Sequence, residues 1–283
     1  RGLGAECFPE AAVVRVGHGF EPTALARVDV DGDGAPEVVG VSPSRQTLTI
    51  VWTSEGADNS RSRSWGLGEE VAGLAVGDVD GDGRIDLVTA LPASDALAVL
   101  HGRGDGVFAA VRRVAVGETP RAVIAADLDG DGADELVSAN AGDASVSVVR
   151  GGAATRVVVG TGPHALAAGD LDGDGALDVA VALADEDAVQ VLRGDGAGGL
   201  LVGARHAVGL GPLALVAADL DGDLKVDLAT ADALADTVTV LRGDGVGGVQ
   251  ERAAWSVPGT PQGLCVVPDA DGPQLAVIGA AAD

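Results

Sequence analysis

Nine residues, Asp170-Leu171-Asp172-Gly173-Asp174-Gly175-Ala176-Leu177-Asp178, carry four carboxylates and two glycines. Like charges at that density repel one another, so they need a partner of opposite sign. The spacing suits a hard cation, because calcium takes roughly six to eight oxygens and a loop with acids at positions 1, 3, 5 and 9 can wrap one. Glycine at position 6 supplies the left-handed backbone that turns the loop back on its ion. The pattern occurs five times: Asp29, Asp31, Asp33 and Glu37; Asp78, Asp80, Asp82 and Asp86; Asp127, Asp129, Asp131 and Glu135; Asp170, Asp172, Asp174 and Asp178; Asp219, Asp221, Asp223 and Asp227. Their first residues stand 49, 49, 43 and 49 positions apart. A period near fifty marks a repeated structural unit.

Rival chemistries fit less well. An EF-hand needs a bidentate Glu at position 12 and flanking helices; position 12 here is Gly40, Thr89, Ser138, Val181 or Thr230. Magnesium keeps most of its waters and seldom accepts an all-protein cage. Four scattered histidines (His18, His101, His164, His206) form no pair at zinc-ligand spacing. A loop that fills its ion's coordination with protein oxygens leaves no open position for catalysis, so the expected role is structural.

The elements that position the loops are short strands. An apolar run precedes each loop (Ala122–Ala126, Ala165–Ala168, Leu215–Ala218) and another follows it (Leu136–Ala139, Val179–Ala182, Leu228–Ala231). Four to six small or β-branched residues between turn signals predict strands buried on both faces. Alternating runs such as Ser145–Val149 and Thr237–Leu241 predict half-exposed third strands. A glycine-rich hairpin and a more polar fourth strand complete the unit. Four antiparallel strands per unit predict an all-β fold, a β-propeller occupying residues 1–283 as one domain. Six blades are expected, or seven in a longer parent array. The 43-residue spacing traces to the third unit's hairpin, Arg150–Gly160, six residues shorter than Arg193–Gly209. Arg1–Gly17 aligns without gaps on Arg193–Gly209, so residues 10–17 are expected to complete a sixth blade begun by Gln262–Asp283. Its loop, Asp269-Ala270-Asp271-Gly272-Pro273, lacks the downstream acid and is expected to hold no metal.

Composition narrows the function. Net charge is −25, with 43 acidic and 18 basic residues, which repels a phosphate backbone and argues against nucleic acid. Twenty of those carboxylates lie in the loops, and five bound dications would bring −25 to −15. No apolar run is long enough to span a membrane. A chain that starts at Arg1 and contains no Met reads as one whose upstream region has been removed. Cys7 and Cys265 are either bridged or two separate thiols; sequence leaves both open.

Loop, period and the Leu-Arg-Gly-Asp-Gly hairpins (Leu192–Gly196, Leu241–Gly245) together resemble the FG-GAP/VCBS repeat family, the calcium-loop propeller repeats of integrin α chains and many bacterial surface proteins. The resemblance implies calcium between the first and second strands of each blade, a secreted or cell-surface setting, and a role in adhesion or ligand binding. Carried over by position, the ligands are the twenty carboxylates and the carbonyls of Ala35, Arg84, Ala133, Ala176 and Lys225. Four to five calcium ions are expected. The fifth site is expected to be weakest, because Leu224 replaces the glycine and Lys225 adds a cation.

Two functions follow as expectations. The first is a non-enzymatic, calcium-stabilised adhesion, ligand-binding or scaffold module, one piece of a larger surface protein. Its protein or glycan partner would sit on the face opposite the loops, where Arg121 and His164 occupy equivalent positions before the innermost strands. The second is a carbohydrate-active lyase or hydrolase with its site at that channel mouth. A lectin is disfavoured, since Trp52, Trp65 and Trp255 are read as occupying different places in the repeat. Arg-Gly-Asp at Arg103–Asp105, Arg193–Asp195 and Arg242–Asp244 is read as turn chemistry rather than as a receptor signal.

Overall fold

A computed structural model of the chain describes residues 23–52, 61–267 and 272–280. Each apolar run becomes a strand, and consecutive strands pair antiparallel. The first blade is β1 (Ala24–Val28), β2 (Glu37–Ser42), β3 (Thr47–Trp52) and β4 (Arg61–Gly66). The second is β5 (Ala72–Gly77), β6 (Asp86–Leu91), β7 (Ala96–Leu100) and β8 (Arg112–Ala115). The third is β9 (Pro120–Ala126), β10 (Glu135–Asn140), β11 (Ser145–Arg150) and β12 (Ala153–Val158). The fourth is β13 (Pro163–Gly169), β14 (Asp178–Leu183), β15 (Ala188–Gly194) and β16 (Leu200–Ala207). The fifth is β17 (Pro212–Ala218), β18 (Asp227–Asp232), β19 (Thr237–Gly243) and β20 (Val249–Ser256). In sixth place β21 (Thr260–Val267) and β22 (Gln274–Ala280) form a two-stranded sheet.

Innermost strands pack in chain order, β1 on β5, β5 on β9, β9 on β13, β13 on β17 and β17 on β21. The apolar core sits between blades. Val39, Leu48 and Ile50 of the first meet Leu87, Leu100 and Phe108 of the second. Val137 and Val148 of the third meet Val179 and Leu192 of the fourth. Such face-to-face stacking buries both faces of the middle strands.

That geometry corrects the burial expected along a blade. The third strands are not half-exposed: Ser145, Ser147 and Thr239 are fully buried. Their alternation places hydroxyls where buried partners exist, as in the bond from the Asn140 amide to Ser147 Oγ at 2.9 Å. The first strands, expected to be buried on both faces, are half-buried, because one face looks toward the axis of the array. Outermost strands are exposed, as expected. The tryptophans also need correction. Trp65 and Trp255 hold the same place, opposite Leu48 and Val238, while Trp52 stands elsewhere. The expected strand over residues 10–17, the ring closure it implies, Cys7 and the Asp269-Ala270-Asp271 part of the sixth loop lie outside the described residues.

Candidate metal centres

Each acidic loop joins the innermost strand to the second, and its acids divide the work. The acid at position 1 holds the turn: Asp170 accepts the amides of Gly173 at 2.7 Å and Gly175 at 3.1 Å. Asp29, Asp127 and Asp219 repeat both bonds. In the second loop Asp78 takes the amides of Asp82 and Gly83. The acid at position 5 accepts the amide at position 7, as Ala176 N to Asp174 at 2.8 Å and Lys225 N to Asp223 at 3.0 Å. Ala35, Arg84 and Ala133 are held the same way.

The acid at position 9 begins the second strand and is buried in all five blades, as Glu37, Asp86, Glu135, Asp178 and Asp227. Each accepts the amide of position 2, for example Leu171 N to Asp178 at 3.0 Å. Asp86, Asp178 and Asp227 also accept the amide of a glycine at the end of the third strand or just past it: Gly102, Gly194 or Gly243. Glycine is required there, since a Cβ on Gly194 would stand 2.2 Å from the Leu177 carbonyl. Burial pushes all five carboxyls above their usual range, against the pull of these amides.

Carboxylate oxygens converge within 4.8 Å in each of the sets Asp29, Asp31 and Asp33; Asp78, Asp80 and Asp82; Asp127, Asp129 and Glu135; and Asp170, Asp172 and Asp178. Asp31 Oδ1 is buried and has no hydrogen-bond partner. Convergent carboxylate oxygens, one of them buried and left unsatisfied, are the donor set a hard dication needs. The residues therefore fit such an ion.

Sequence reasoning missed the residue near the end of each third strand that faces position 3. Trp52 Nε1 donates to Asp31 at 3.0 Å. Arg150 pairs with Asp129, Arg193 with Asp172 at 3.5 Å and Arg242 with Asp221 at 3.2 Å. An ion in those three loops would share the acid with a guanidinium. The arginines of two Arg-Gly-Asp sequences thus turn toward the loops. Asp195 and Asp244 accept turn amides, Ala197 and Gly199 in one case and Val246 and Gly248 in the other. Register would have revealed the arginines, because they recur with the loops' own spacing.

At the opposite ends of the innermost strands, Arg121 is exposed, and its charge acts on the half-buried His164 of the next blade. His164 Nδ1 lies 3.0 Å from the Leu213 carbonyl of the blade after that. Burial, aided by Arg121, pushes the imidazole below its usual range.

The FG-GAP-like repeat family profile matches residues 29–89, 78–138, 127–181 and 170–230. Among curated proteins none matches the chain in sequence. Solved structures share its architecture at low identity. A catalytically inactive virginiamycin B lyase from Staphylococcus aureus, crystallised with quinupristin, superposes at TM-score 0.63 with 12% identity, over 92% of this chain and 78% of that one. BBS1N in complex with ARL6DN gives 0.64 at 16% identity, over 94% and 78%. A functionally unknown protein from Desulfotomaculum acetoxidans gives 0.62 at 14% identity, over 87% and 74%. With a matching repeat profile over most of its length and blades in the expected order, the chain belongs to the FG-GAP-like repeat family.

Proposed function

We propose that the chain is an extracellular, calcium-stabilised propeller that serves as a non-enzymatic adhesion, ligand-binding or scaffold module. The observation that carries this reading is the buried acid at position 9 in all five blades. A carboxylate held out of water at the start of a core strand costs stability unless a charge of opposite sign compensates it. Calcium in the loop supplies that charge and ties the first strand to the second. Extracellular modules of this ligand type bind calcium at about 10⁻⁴–10⁻³ M, so the loops would fill outside a cell. Arg121 and His164, on the face away from the loops, are the proposed contact residues for a protein or glycan partner.

Thermal unfolding tests the metal. Chelation is expected to lower Tm, calcium to restore it, and magnesium to fail at the same concentration. An unchanged melting curve in chelator would overturn the reading.

A further inference from the structure

Three departures from the repeat meet at one place on the loop-bearing face. The residue facing loop position 3 from the end of the third strand is Trp52, Arg150, Arg193 or Arg242 in four blades, but His101 in the second. Position 8 of the loop is Pro36, Ile85, Leu177 or Val226, but Asp134 in the third. The third blade also carries the hairpin shortened by six residues. All three border one cleft of about 370 Å³ between the second and third blades, lined by Asp80, His101, Arg112, Asp134, Glu135 and Arg150 among others. The propeller itself demands neither His101 nor Asp134, since its other blades fold without them.

Over the first, third and fourth loops lies the hairpin of the next blade. Arg150 Nη1 donates to the Ala197 carbonyl at 3.2 Å, and Arg193 Nη2 to that of Val246 at 3.0 Å. The Gly247 amide donates to the Leu171 carbonyl at 3.1 Å. Over the first loop, Gly106 comes so close that a Cβ would stand 3.0 Å from Trp52 and 3.4 Å from Asp31. The third blade offers only the turn Gly151-Gly152 at this point, and the second loop stays open. The Asp80 side chain is 43% exposed, against 5% for Asp129 and 11% for Asp172.

Into that opening His101 brings a nitrogen donor. Its Nδ1 lies 3.0 Å from Asp86 Oδ2 and 3.2 Å from Asp80 Oδ2, and the three groups offer donors within 4.8 Å of one another. Ligands held about 2.0–2.1 Å from an ion stand roughly 3.0–3.4 Å apart, as the His101 nitrogen does from each of the two carboxylates. Asp86 is fixed by the amides of Val79 and Gly102, and Asp134 pins the loop across the cleft by accepting the Asp78 amide at 2.9 Å. Imidazole favours first-row transition ions, whereas calcium prefers oxygen throughout.

We propose that Asp80, Asp86 and His101 bind a first-row transition-metal ion whose remaining coordination positions open into the cleft. The proposal rests on reading the loops as cation sites and assigns a different ion to one of them. Three protein ligands with solvent completing the shell leave positions that an incoming ligand can take.

The test is a Co²⁺ titration of untagged, calcium-saturated protein, followed by visible absorption. One cobalt per chain is expected. His101→Arg, which installs the residue used by the third, fourth and fifth blades, is expected to weaken cobalt binding at least about tenfold while the calcium-dependent rise in Tm persists. His101→Ala should do the same without adding a charge, and His164→Asn should keep the cobalt site. Equal cobalt affinity in both His101 variants overturns the proposal. So does a chain that responds to calcium and binds no cobalt, and there the calcium reading survives. A chain that responds to neither ion overturns both.

Discussion

At the scale of single residues, the fifth loop shows what one side chain can cost. Leu224 stands where the other loops have glycine, with φ at +67° and its side chain almost wholly exposed. A left-handed L-residue costs about 1–2 kcal/mol, and nothing around Leu224 returns it. Leu224→Gly should therefore raise Tm and tighten calcium at this site, which calorimetry with wild type alongside will show. The opposite change, Gly194→Ala, drives a methyl into the Leu177 carbonyl and displaces the amide bonded to Asp178. Overpacking of this kind costs about 1–3 kcal/mol, read as a lower urea midpoint. His164 gives a pH signature. Its folded pKa lies below the unfolded one, so its contribution to stability is complete above the unfolded value of 6.5 and declines as pH falls toward the folded value. The Tm difference between wild type and His164→Asn should shrink toward acid pH. A constant difference would show that the imidazole titrates alike in the folded and unfolded states.

At the scale of elements, hydroxyl-bearing strands are core strands because blades stack on both of their faces. The turn between β18 and β19 shows how polar groups survive there. Buried Asp232 accepts the hydroxyls of Thr230 at 2.7 Å, Thr237 at 3.1 Å and Thr239 at 2.6 Å. Asp232→Ala should cost about 1–3 kcal/mol for each hydroxyl left without an acceptor, while adding calcium should recover none of it. That separates a turn network from a metal loop by one pair of melting curves. The hairpins have a second role beyond joining strands, since those of the second, fourth and fifth blades each shield the loop of the preceding blade. Where the hairpin is short a cleft remains. Beside the two-stranded sixth sheet an apolar cavity of about 350 Å³ lies against Leu220, Val238, Trp255 and Leu275.

At the scale of the molecule, the charge balance works against compactness. A net −25, with much of it gathered on the loop-bearing face, strains the metal-free chain by self-repulsion. If the loops bind calcium as proposed, sodium chloride should raise Tm more in chelator than in calcium, because screening then replaces part of what the dications would supply. Equal salt slopes in the two conditions would mean that the loops hold their shape without ions.

The repeat, strand order and acids at positions 1, 3, 5 and 9 were readable from the chain alone, because period and residue type are local properties. So was the turn chemistry of Gly194–Gly199. Other features depend on which blade lies beside which, and only the folded array decides that. Burial of Ser147 and Thr239 comes from a neighbouring blade's face. The meeting of Arg193 with Asp172, and of His101 with Asp80 and Asp86, comes from strands that lie side by side although some twenty residues separate their ends. Trp65 and Trp255, equivalent in the pairing, were hidden behind uneven hairpins and polar fourth strands that carry little pattern. Short-range signals fix which strands form; contact between blades fixes what each side chain meets.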